Sequence, residues 1–303
     1  MATCGGAGGR GTLVPVARDA AAFSTTVSEA VRSGIWMRPE NKENLMPIAM
    51  STAVERLLKG RFGPEFMAPL TENAPDLTLP QAYIIQRNLE QAVEAREERV
   101  IGWKVGLTST ALQETYGVSE PVLGFMLASG VFSSGAAVPV SRFVSLAVEV
   151  EIAFLLKADC AGPGVTAASA LLAVEGAMPS FELVDFRFAG KPRGIDVIAD
   201  GVLTNAIVLG QPLVPVTGLD LALEGVVFEQ NGQVVATNTA AEVMGNPLNS
   251  LAWLANNLGR MGRGLRAGDI VLTGSISKVL RPKAGESIRA SFTRLGSVAC
   301  RFV

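Results

Sequence analysis

The chain has 303 residues, of which 49% are hydrophobic and 18% are charged, and its formal net charge is −2. A chain of this length can bury a full-sized core, and its composition fits one large domain with appendages. The small net charge and the lack of a long basic run exclude recruitment of nucleic acid or of an anionic membrane, so a small-molecule partner is expected.

The contents of cysteine and histidine restrict the chemistry further. Cys4, Cys160 and Cys300 are far apart in the sequence, which supports neither a disulfide framework nor a thiolate zinc site and suits a reducing cytoplasm. No uninterrupted apolar run of about 18 residues occurs, so no membrane span is expected. The sequence has no histidine, which excludes Ser-His-Asp and Cys-His machinery and His-ligated zinc or iron. The chemistry therefore has to use carboxylates, lysine, hydroxyls and water.

Residues 1–49 are rich in glycine, alanine, serine and threonine and show no sustained helical or strand period. Such a segment is typical of a flexible extension. A targeting peptide is one alternative, and a start assigned too early, with Met46 or Met50 as the true beginning, is another. Residues 50–303 are expected to form one domain, with a helical N-terminal part to about residue 117 and a β-rich catalytic core after it.

Capping signals predict three helices in this N-terminal part, at 52–58, at about 78–99 and from 110 to the glycine at 117. The predicted capping pairs are Thr52 with Glu55, Thr78 with Gln81, and Thr110 with Gln113. Between the second and third helices an apolar strand is expected at 99–108. It has Lys104 at its centre between Gly102 and Gly106, and glycine permits close approach to the backbone there.

A second strand, at 144–156, is aliphatic except for Glu149 and Glu151. Successive side chains of a strand point to opposite faces, so the two carboxylates share one face and aliphatic residues line the other. Two buried negative charges cost several kcal/mol unless a cation lies close by.

An exposed strand with a solvated acidic face would explain the same pattern of two glutamates. However, Ala147, Ala153 and Leu155 share the glutamate face, where a solvated strand would continue with polar residues. We therefore favour a buried site with a metal ion.

Turn and cap residues predict the C-terminal elements. Asn231 and Gly232 indicate a hairpin between strands at 226–230 and 233–237. Asn246 and Pro247 cap a helix. The remaining predicted strands are 269–274, which pairs with 287–292, and 296–302.

Six ordered motifs within residues 52–303 resemble the 2-keto-4-pentenoate hydratase and 4-oxalocrotonate decarboxylase family of the fumarylacetoacetase-like superfamily. They are 102–108 (GWKVGLT), Glu149 with Glu151, 181–185 (FELVD), 196–200 (DVIAD), 245–249 (GNPLN) and 268–275 (GDIVLTGS). Each motif is weak alone, but six in order make coincidence improbable.

The resemblance implies an α+β fold, with a mixed β-roll core of the fumarylacetoacetase C-terminal type, flanking helices and a helical N-terminal part. It also implies a Mg²⁺ or Mn²⁺ ion held by the residues that match Glu149, Glu151 and Glu182, and an active-site lysine that matches Lys104. Three carboxylates without a cysteine or histidine cluster form an oxygen site, which agrees with such an ion. Homo-oligomers, and complexes with a related hydratase or decarboxylase, are expected from the same resemblance.

Several roles have alternatives. Glu182 could instead pair with Arg187 or Lys191, in which case the adjacent Asp185 would be the third ligand. Lys104 could contact substrate and move a proton, or it could only balance the charge of the glutamates.

Thr273, Ser275 and Asp200 are the candidate substrate-binding residues. The first two could be turn residues, and Asp200, like Asp196, is more suited to fixing a loop than to catalysis. Many family members have an asparagine at the position of Gly201 and an acidic residue near Val122 or Ser129. These departures leave the choice among related substrates open.

The expected reaction is hydration of a 2-hydroxy-2,4-dienoate to a 4-hydroxy-2-oxoalkanoate during aromatic catabolism in the cytoplasm. Decarboxylation of 4-oxalocrotonate (2-oxohex-3-enedioate) is the main alternative, and it needs a cation for a second carboxylate. Hydrolysis of acylpyruvates ranks lower because the related hydrolases activate water with histidine. A non-catalytic paralogue that partners a true hydratase would have no evident need for the three carboxylates.

Overall fold

The computed structural model describes residues 47–303, so the predicted extension at 1–49 lies outside the described residues except for its last three. The helices are α1 (Met50–Phe62), α2 (Leu79–Glu94), α3 (Thr110–Tyr116), α4 (Ala167–Ala173), α5 (Gly194–Ala199) and α6 (Pro247–Arg260). The strands are β1 (Val100–Gly106), β2 (Val122–Leu127), β3 (Val131–Ser133), β4 (Ala137–Val138), β5 (Leu146–Leu156), β6 (Val174–Asp185), β7 (Thr204–Leu209), β8 (Gly225–Gln230), β9 (Gln233–Thr239), β10 (Ile270–Leu272), β11 (Ser287–Phe292) and β12 (Gly296–Phe302). No helix within residues 47–303 is long and apolar enough to cross a membrane.

Seven strands form the larger sheet, in the order β2-β1-β10-β5-β6-β7-β3. β1 runs parallel to β10 and β3 runs parallel to β7, whereas the other neighbours are antiparallel. β5 and β6 are long, with 11 and 12 residues, and almost all of their residues are buried. This central pair is therefore held on both faces, which suits it to position functional side chains.

Five strands form the smaller sheet, in the order β4-β12-β11-β8-β9. The Phe181 ring of β6 packs against the Phe228 ring of β8, with centroids 5.9 Å apart, so the two sheets share one core. Because side chains alternate along a strand, the neighbour of Phe181, Glu182, points to the opposite face of the larger sheet. The predicted α+β architecture, a mixed β-roll with flanking helices, is confirmed.

The first predicted capping box, Thr52 with Glu55, is wrong. Helix α1 begins two residues before Thr52, after Ala49, and no side chain caps it. It also continues four residues beyond the predicted end. Ala53 and Leu57 are fully buried in the core, and such packing of an apolar face contributes more to helix stability than local signals do.

The second predicted capping box is confirmed, because the backbone N–H of Thr78 donates to Gln81 Oε1 at 2.9 Å at the start of α2. Helix α2 ends at residue 94, five residues before its predicted end. The third helix has Ser109 as its N-cap instead of Thr110. The Ser109 hydroxyl oxygen accepts a 3.4 Å hydrogen bond from the Leu112 N–H.

The ranges of the C-terminal strands were predicted closely, but one of their pairings was not. The hairpin at Asn231 and Gly232 joins β8 to β9, and Asn246 caps α6, as expected. The predicted pairing of 269–274 with 287–292 is wrong, because β10 lies in the larger sheet and β11 in the smaller one. Strands close in sequence usually pair, but here β10 instead completes the larger sheet between β1 and β5.

Candidate metal centre and active-site cavity

The central strands bring three carboxylates together on one face of the larger sheet. Glu149 and Glu151 lie two residues apart on β5, and Glu182 lies directly opposite Glu149 on β6. One carboxylate oxygen of each residue lies within 4.8 Å of the others. The alternation along β5 therefore places its two glutamates as the sequence predicted, and the antiparallel register adds the third.

The electrostatics of this cluster require a cation. Like charges directly opposite each other in a sheet are destabilising. Burial and the charge of Glu182 raise the pKa of Glu149 to about 7, and the same two causes raise the pKa of Glu151 well above its usual value. Glu151 Oε2 accepts a 2.7 Å hydrogen bond from the Gly274 N–H, but its Oε1 is buried without a hydrogen-bond partner among residues 47–303.

These residues fit a divalent metal ion that prefers oxygen ligands. A buried carboxylate oxygen without a partner is costly, and a metal ion would remove that cost. Hard cations such as Mg²⁺ and Mn²⁺ favour carboxylates, whereas zinc and copper sites use histidine or cysteine. In the part of the chain that the structure describes, Glu149, Glu151 and Glu182 form a possible metal-binding cluster.

Lys104 of β1 supplies the protein's own positive charge at the cluster. Its side chain is 4% exposed, and its Nζ lies 2.9 Å from Glu182 Oε2. Burial alone would lower the pKa of Lys104, but the charges of Glu182, Glu149 and Glu151 outweigh burial and raise it. The ammonium therefore stays protonated at neutral pH when the three carboxylates are ionised.

A second layer of buried polar groups orients Glu182. The Thr204 hydroxyl donates a 2.5 Å hydrogen bond to Glu182 Oε1. The Thr204 carbonyl in turn accepts hydrogen bonds from Arg61 at 3.0 Å and from Arg187 at 3.2 Å. Arg187 forms ion pairs with Asp185 and Asp200, so it is not the partner of Glu182. The sequence did not single out Thr204, which carries no motif beyond its place at the start of β7.

A cavity of about 440 Å³ opens beside the cluster, with Lys104 and Glu149 in its wall. Its polar lining includes the phenol of Tyr116 and side chains from the smaller-sheet region, Asn238 and Glu242. The apolar lining residues are Leu107, Leu112, Val184, Phe186, Val197, Val202, Leu203, Ile276 and Val279. Glu242 and Lys278 also line it, so the cavity combines several charged groups with a large hydrocarbon surface.

Ser275 lines this cavity, and its hydroxyl donates to the Ser277 carbonyl at 2.9 Å. Thr273 is buried outside the lining, where its hydroxyl donates to the Ile152 carbonyl at 3.0 Å. The substrate contacts predicted for these two residues stay predictions. The hydroxyl of Thr273 serves the backbone here, whereas Ser275 is in a position to meet a ligand.

Asp200 is also buried and is not among the residues that line the cavity. Its carboxylate lies 3.4 Å from Arg187, and its backbone carbonyl accepts from Arg61 at 2.9 Å. Burial raises the pKa of Asp200, although Arg187 and Arg61 act against that shift. Asp196 of α5 accepts hydrogen bonds from the backbone and hydroxyl of Thr71, which ties this helix to the short 3-10 helix at Leu70–Glu72. Both aspartates thus have structural contacts, and a substrate role for Asp200 stays a prediction.

Sequence reasoning missed Tyr116, Asn238 and Glu242. Tyr116 lies at the end of α3, and burial, followed by the charge of Glu149, raises its pKa. Asn238 and Glu242 come from β9 and the turn after it, which are more than fifty residues from the nearest carboxylate of the cluster. No local pattern marks these three residues, since only the curl of the two sheets brings them to the cavity.

Comparison with known proteins agrees with this fold. Residues 82–303 match the family model described as fumarylacetoacetate (FAA) hydrolase C-terminal. The chain belongs to the fumarylacetoacetate hydrolase family, in the group of 2-keto-4-pentenoate hydratases and 4-oxalocrotonate decarboxylases.

Three relatives illustrate the degree of similarity. The chain is 35% identical over 256 residues to a 2-hydroxyhexa-2,4-dienoate hydratase of Comamonas testosteroni, an alignment that covers 84% of this chain and 97% of that protein. It is 35% identical over 235 residues to a 4-oxalocrotonate decarboxylase of Pseudomonas sp. (strain CF600), with coverage of 77% and 89%. The solved structure of 4-oxalocrotonate decarboxylase from Pseudomonas putida G7, complexed with magnesium and adipate, has a TM-score of 0.81 at 31% identity and covers 84% of this chain and 97% of that one.

Proposed function

We propose that this protein is a metal-dependent hydratase that converts 2-hydroxy-2,4-dienoates to 4-hydroxy-2-oxoalkanoates in the breakdown of aromatic compounds. The observation that carries the proposal is the cluster of Glu149, Glu151 and Glu182 with Lys104, at the wall of a largely apolar cavity. Relatives at 35% identity include a hydratase of this substrate class.

The reaction consists of an isomerisation and an addition. For 2-hydroxypenta-2,4-dienoate, the enol loses its O–H proton and C5 gains one, which gives a 2-oxo-3-enoate. Water then adds across the C3–C4 double bond, with its oxygen on C4 and a proton on C3. The product is 4-hydroxy-2-oxopentanoate, and no oxidant or organic cofactor is consumed.

Glu149, Glu151 and Glu182 would hold the divalent ion, for which Mg²⁺ and Mn²⁺ are the candidates. Magnesium and calcium are present in the solved structures of the related decarboxylase from Pseudomonas putida G7. When bound, such an ion supplies positive charge that stabilises the enolate and polarises the 2-oxo group.

Lys104 and Tyr116 are two groups in the cavity wall that can donate protons. Lys104 Nζ lies at the cluster, where it can donate a hydrogen bond to developing negative charge on a bound substrate. Tyr116 has a raised pKa, so its phenol keeps its proton at neutral pH and can donate to a substrate oxygen. Ser275 offers a further hydroxyl at the cavity wall. Thr273 and Asp200 remain proposed substrate-binding residues although neither lines the cavity. Thr273 precedes Gly274, whose N–H donates to Glu151, and Asp200 pairs with Arg187, which donates to the Thr204 carbonyl.

Decarboxylation of 2-oxohex-3-enedioate is the second candidate. In that reaction the C5–C6 bond breaks, CO₂ leaves, and the electron pair of the bond remains in the dienolate. The exposed ammonium of Lys278 lies in the cavity lining and could pair with a second carboxylate. A related decarboxylase was solved with adipate, which is a dicarboxylate of the same length.

We further propose that the protein forms homo-oligomers in the cytoplasm and that it associates with a related hydratase or decarboxylase. Phe62 and Phe66 are 51% and 57% exposed, and such apolar surface favours self-association. Cys160 and Cys300 are free and buried, which suits a reducing compartment. Light scattering on the purified protein, alone and mixed with a candidate partner enzyme, tests both associations.

The function is tested with purified protein and Mg²⁺ on 2-hydroxypenta-2,4-dienoate and 2-oxohex-3-enedioate in parallel. Loss of the ultraviolet absorbance of the dienol without CO₂ release supports the hydratase. Release of CO₂ from the dicarboxylate at a higher kcat/KM supports the decarboxylase. Turnover of neither substrate, by protein that binds Mg²⁺, refutes both.

A further inference from the structure

One wall of the cavity is formed by a turn with an unusual backbone. Gly201, Val202 and Leu203 have φ angles of +84°, +62° and +61° in succession. Residues with a side chain rarely adopt this left-handed conformation, and a β-branched valine does so least readily. Strained backbone of this kind persists only where the surrounding structure fixes it, and it occurs most often at functional sites.

Two buried arginines fix this turn. Arg187 donates to the Leu203 carbonyl at 2.9 Å and Arg61 donates to the carbonyls of Asp200 at 2.9 Å and of Thr204 at 3.0 Å. Arg61 is 6% exposed and Arg187 is fully buried, so these hydrogen bonds form out of contact with water. Bonds from a charged donor to a carbonyl are among the stronger hydrogen bonds in proteins. The two guanidinium groups therefore hold the turn in place.

The turn presents two apolar side chains to the cavity. Val202 and Leu203 line it, and each is only 4% exposed. A Cβ atom added to Gly106 would lie 2.8 Å from Val202 Cγ1 and 3.1 Å from Lys104 Nζ. The valine methyl group and the lysine ammonium therefore border the same point, so the hydrocarbon wall begins beside the charged cluster.

We propose that Val202 and Leu203 determine substrate specificity by contacting the hydrocarbon chain of the dienoate beyond C4. This inference rests on the proposed function and names its substrate class, which is 2-hydroxy-2,4-dienoates with an uncharged alkyl tail. A carboxylate held against the side chain of Leu203 would lose its hydration to an apolar surface. An alkyl tail gains from the contact, and one methylene group in an apolar pocket changes kcat/KM by about tenfold or more.

The size of the cavity agrees with a tail longer than that of the five-carbon substrate. A volume of about 440 Å³ falls in the range of sites that hold drug-sized ligands. A five-carbon dienoate bound at the carboxylate cluster would leave much of this volume unfilled. Lys278, the cation that would favour a dicarboxylate, is exposed, whereas Val202 and Leu203 are buried.

The test compares kcat/KM for 2-hydroxypenta-2,4-dienoate, 2-hydroxyocta-2,4-dienoate and the dicarboxylate 2-hydroxyhexa-2,4-dienedioate, with Mg²⁺ and full-length protein. We expect the octadienoate to exceed the pentadienoate by at least about tenfold and the dicarboxylate to be the poorest substrate. The discriminating variant is Leu203→Asn, because asparagine tolerates positive φ and has a similar size but is polar. Its octadienoate to pentadienoate ratio should fall at least about tenfold, whereas the apolar control Leu203→Met should keep the ratio within about threefold.

Three outcomes would overturn the inference. The wild type could prefer the dicarboxylate, Leu203→Asn could lower kcat/KM equally for all substrates, or Leu203→Met could lower the octadienoate to pentadienoate ratio as much as Leu203→Asn does. If Leu203→Asn does not fold, the isosteric Val202→Thr variant serves in its place. Calorimetric binding of 2-oxopentanoate and 2-oxooctanoate separates the inference from the proposed function. The protein could bind the eight-carbon acid more tightly, in a way that depends on Leu203, and yet hydrate neither dienoate. That result would support contact between Leu203 and the alkyl tail and would refute the hydratase function.

Discussion

Glu149 on β5 stands directly opposite Glu182 on β6, so the sheet register places the half-buried Glu149 carboxylate against the fully buried one of Glu182. Glu151 adds a third charge two residues further along β5 on the same face, and Lys104 offsets part of this negative charge. Desolvation and mutual repulsion of the three carboxylates cost free energy unless a cation offsets them. The cluster therefore indicates a bound divalent cation, and its consequences can be measured.

Replacing Glu149 or Glu151 by glutamine should abolish turnover while the fold survives. The amide keeps the shape of the side chain but removes one negative charge from the ion's surroundings, so Mg²⁺ affinity should fall at least about 100-fold. Calorimetry with Mg²⁺ and circular dichroism on the same samples check both statements. Wild-type rates in metal-stripped buffer, for either variant, would show that the carboxylates do not bind a required ion.

Mg²⁺ affinity should increase with pH between about 5.5 and 8. Burial and Glu182 raise the pKa of Glu149 to about 7 in the metal-free protein, so this carboxylate is largely protonated below that pH. A ligand must lose its proton before it binds the ion. Affinity should therefore fall about tenfold for each pH unit below 7 if one proton is displaced. Titration calorimetry at four pH values measures the slope, and a flat profile would contradict a coordinating role for Glu149.

Lys104→Met should reduce turnover by about 10² to 10⁴ and should cost catalysis far more than stability. If Lys104 only balanced charge, its removal would leave excess negative charge at the cluster, tighten Mg²⁺ binding and change turnover little. If Lys104 donates a hydrogen bond to developing negative charge on the substrate, its removal mainly lowers kcat. Lys104 and Gly106 both line the cavity, so a ligand bound there can approach the lysine. Parallel measurement of turnover and Mg²⁺ affinity decides between these two roles.

Thr204→Val should weaken Mg²⁺ binding by about tenfold, because the valine cannot donate to Glu182 Oε1. Thr204→Ser retains the hydroxyl and should restore most of the affinity, which separates the hydrogen bond from packing. The unfolding free energy of both variants is the control. Equal Mg²⁺ affinity in the valine and serine variants would show that Glu182 does not need this donor.

Removing residues 1–46 should change the unfolding free energy by less than about 1 kcal/mol and leave turnover near that of the full chain. The cut is placed before residue 47 because Ile48 packs against the core and Ala49 accepts the first backbone bond of α1 from Ala53. Denaturant unfolding of the full and shortened chains measures the difference. A larger loss for the 1–46 deletion would mean that the extension packs on the domain.

Elements with a strong local signal could be predicted closely from the sequence. The capping box of Thr78 and Gln81, the hairpin at Asn231 and Gly232, and the cap at Asn246 depend on short-range hydrogen bonds and backbone preferences. The start of α1 did not follow a local signal, since burial of its apolar face decided where the helix begins. The partner of β10 could not be predicted either, because it is chosen by packing between distant segments.

By itself, the sequence determined that Glu149 and Glu151 share one face of an apolar strand, since the two-residue period of a strand allows nothing else. The lack of histidine and of clustered cysteine determined that any metal there is held by oxygen. Only the tertiary structure decided that Glu182 stands opposite Glu149, that Lys104 reaches it, and that Val202 lies beside that lysine. These relationships join segments that are tens of residues apart. Their geometry is set by strand register and by core packing summed over the whole domain, and no local pattern of residues encodes either quantity.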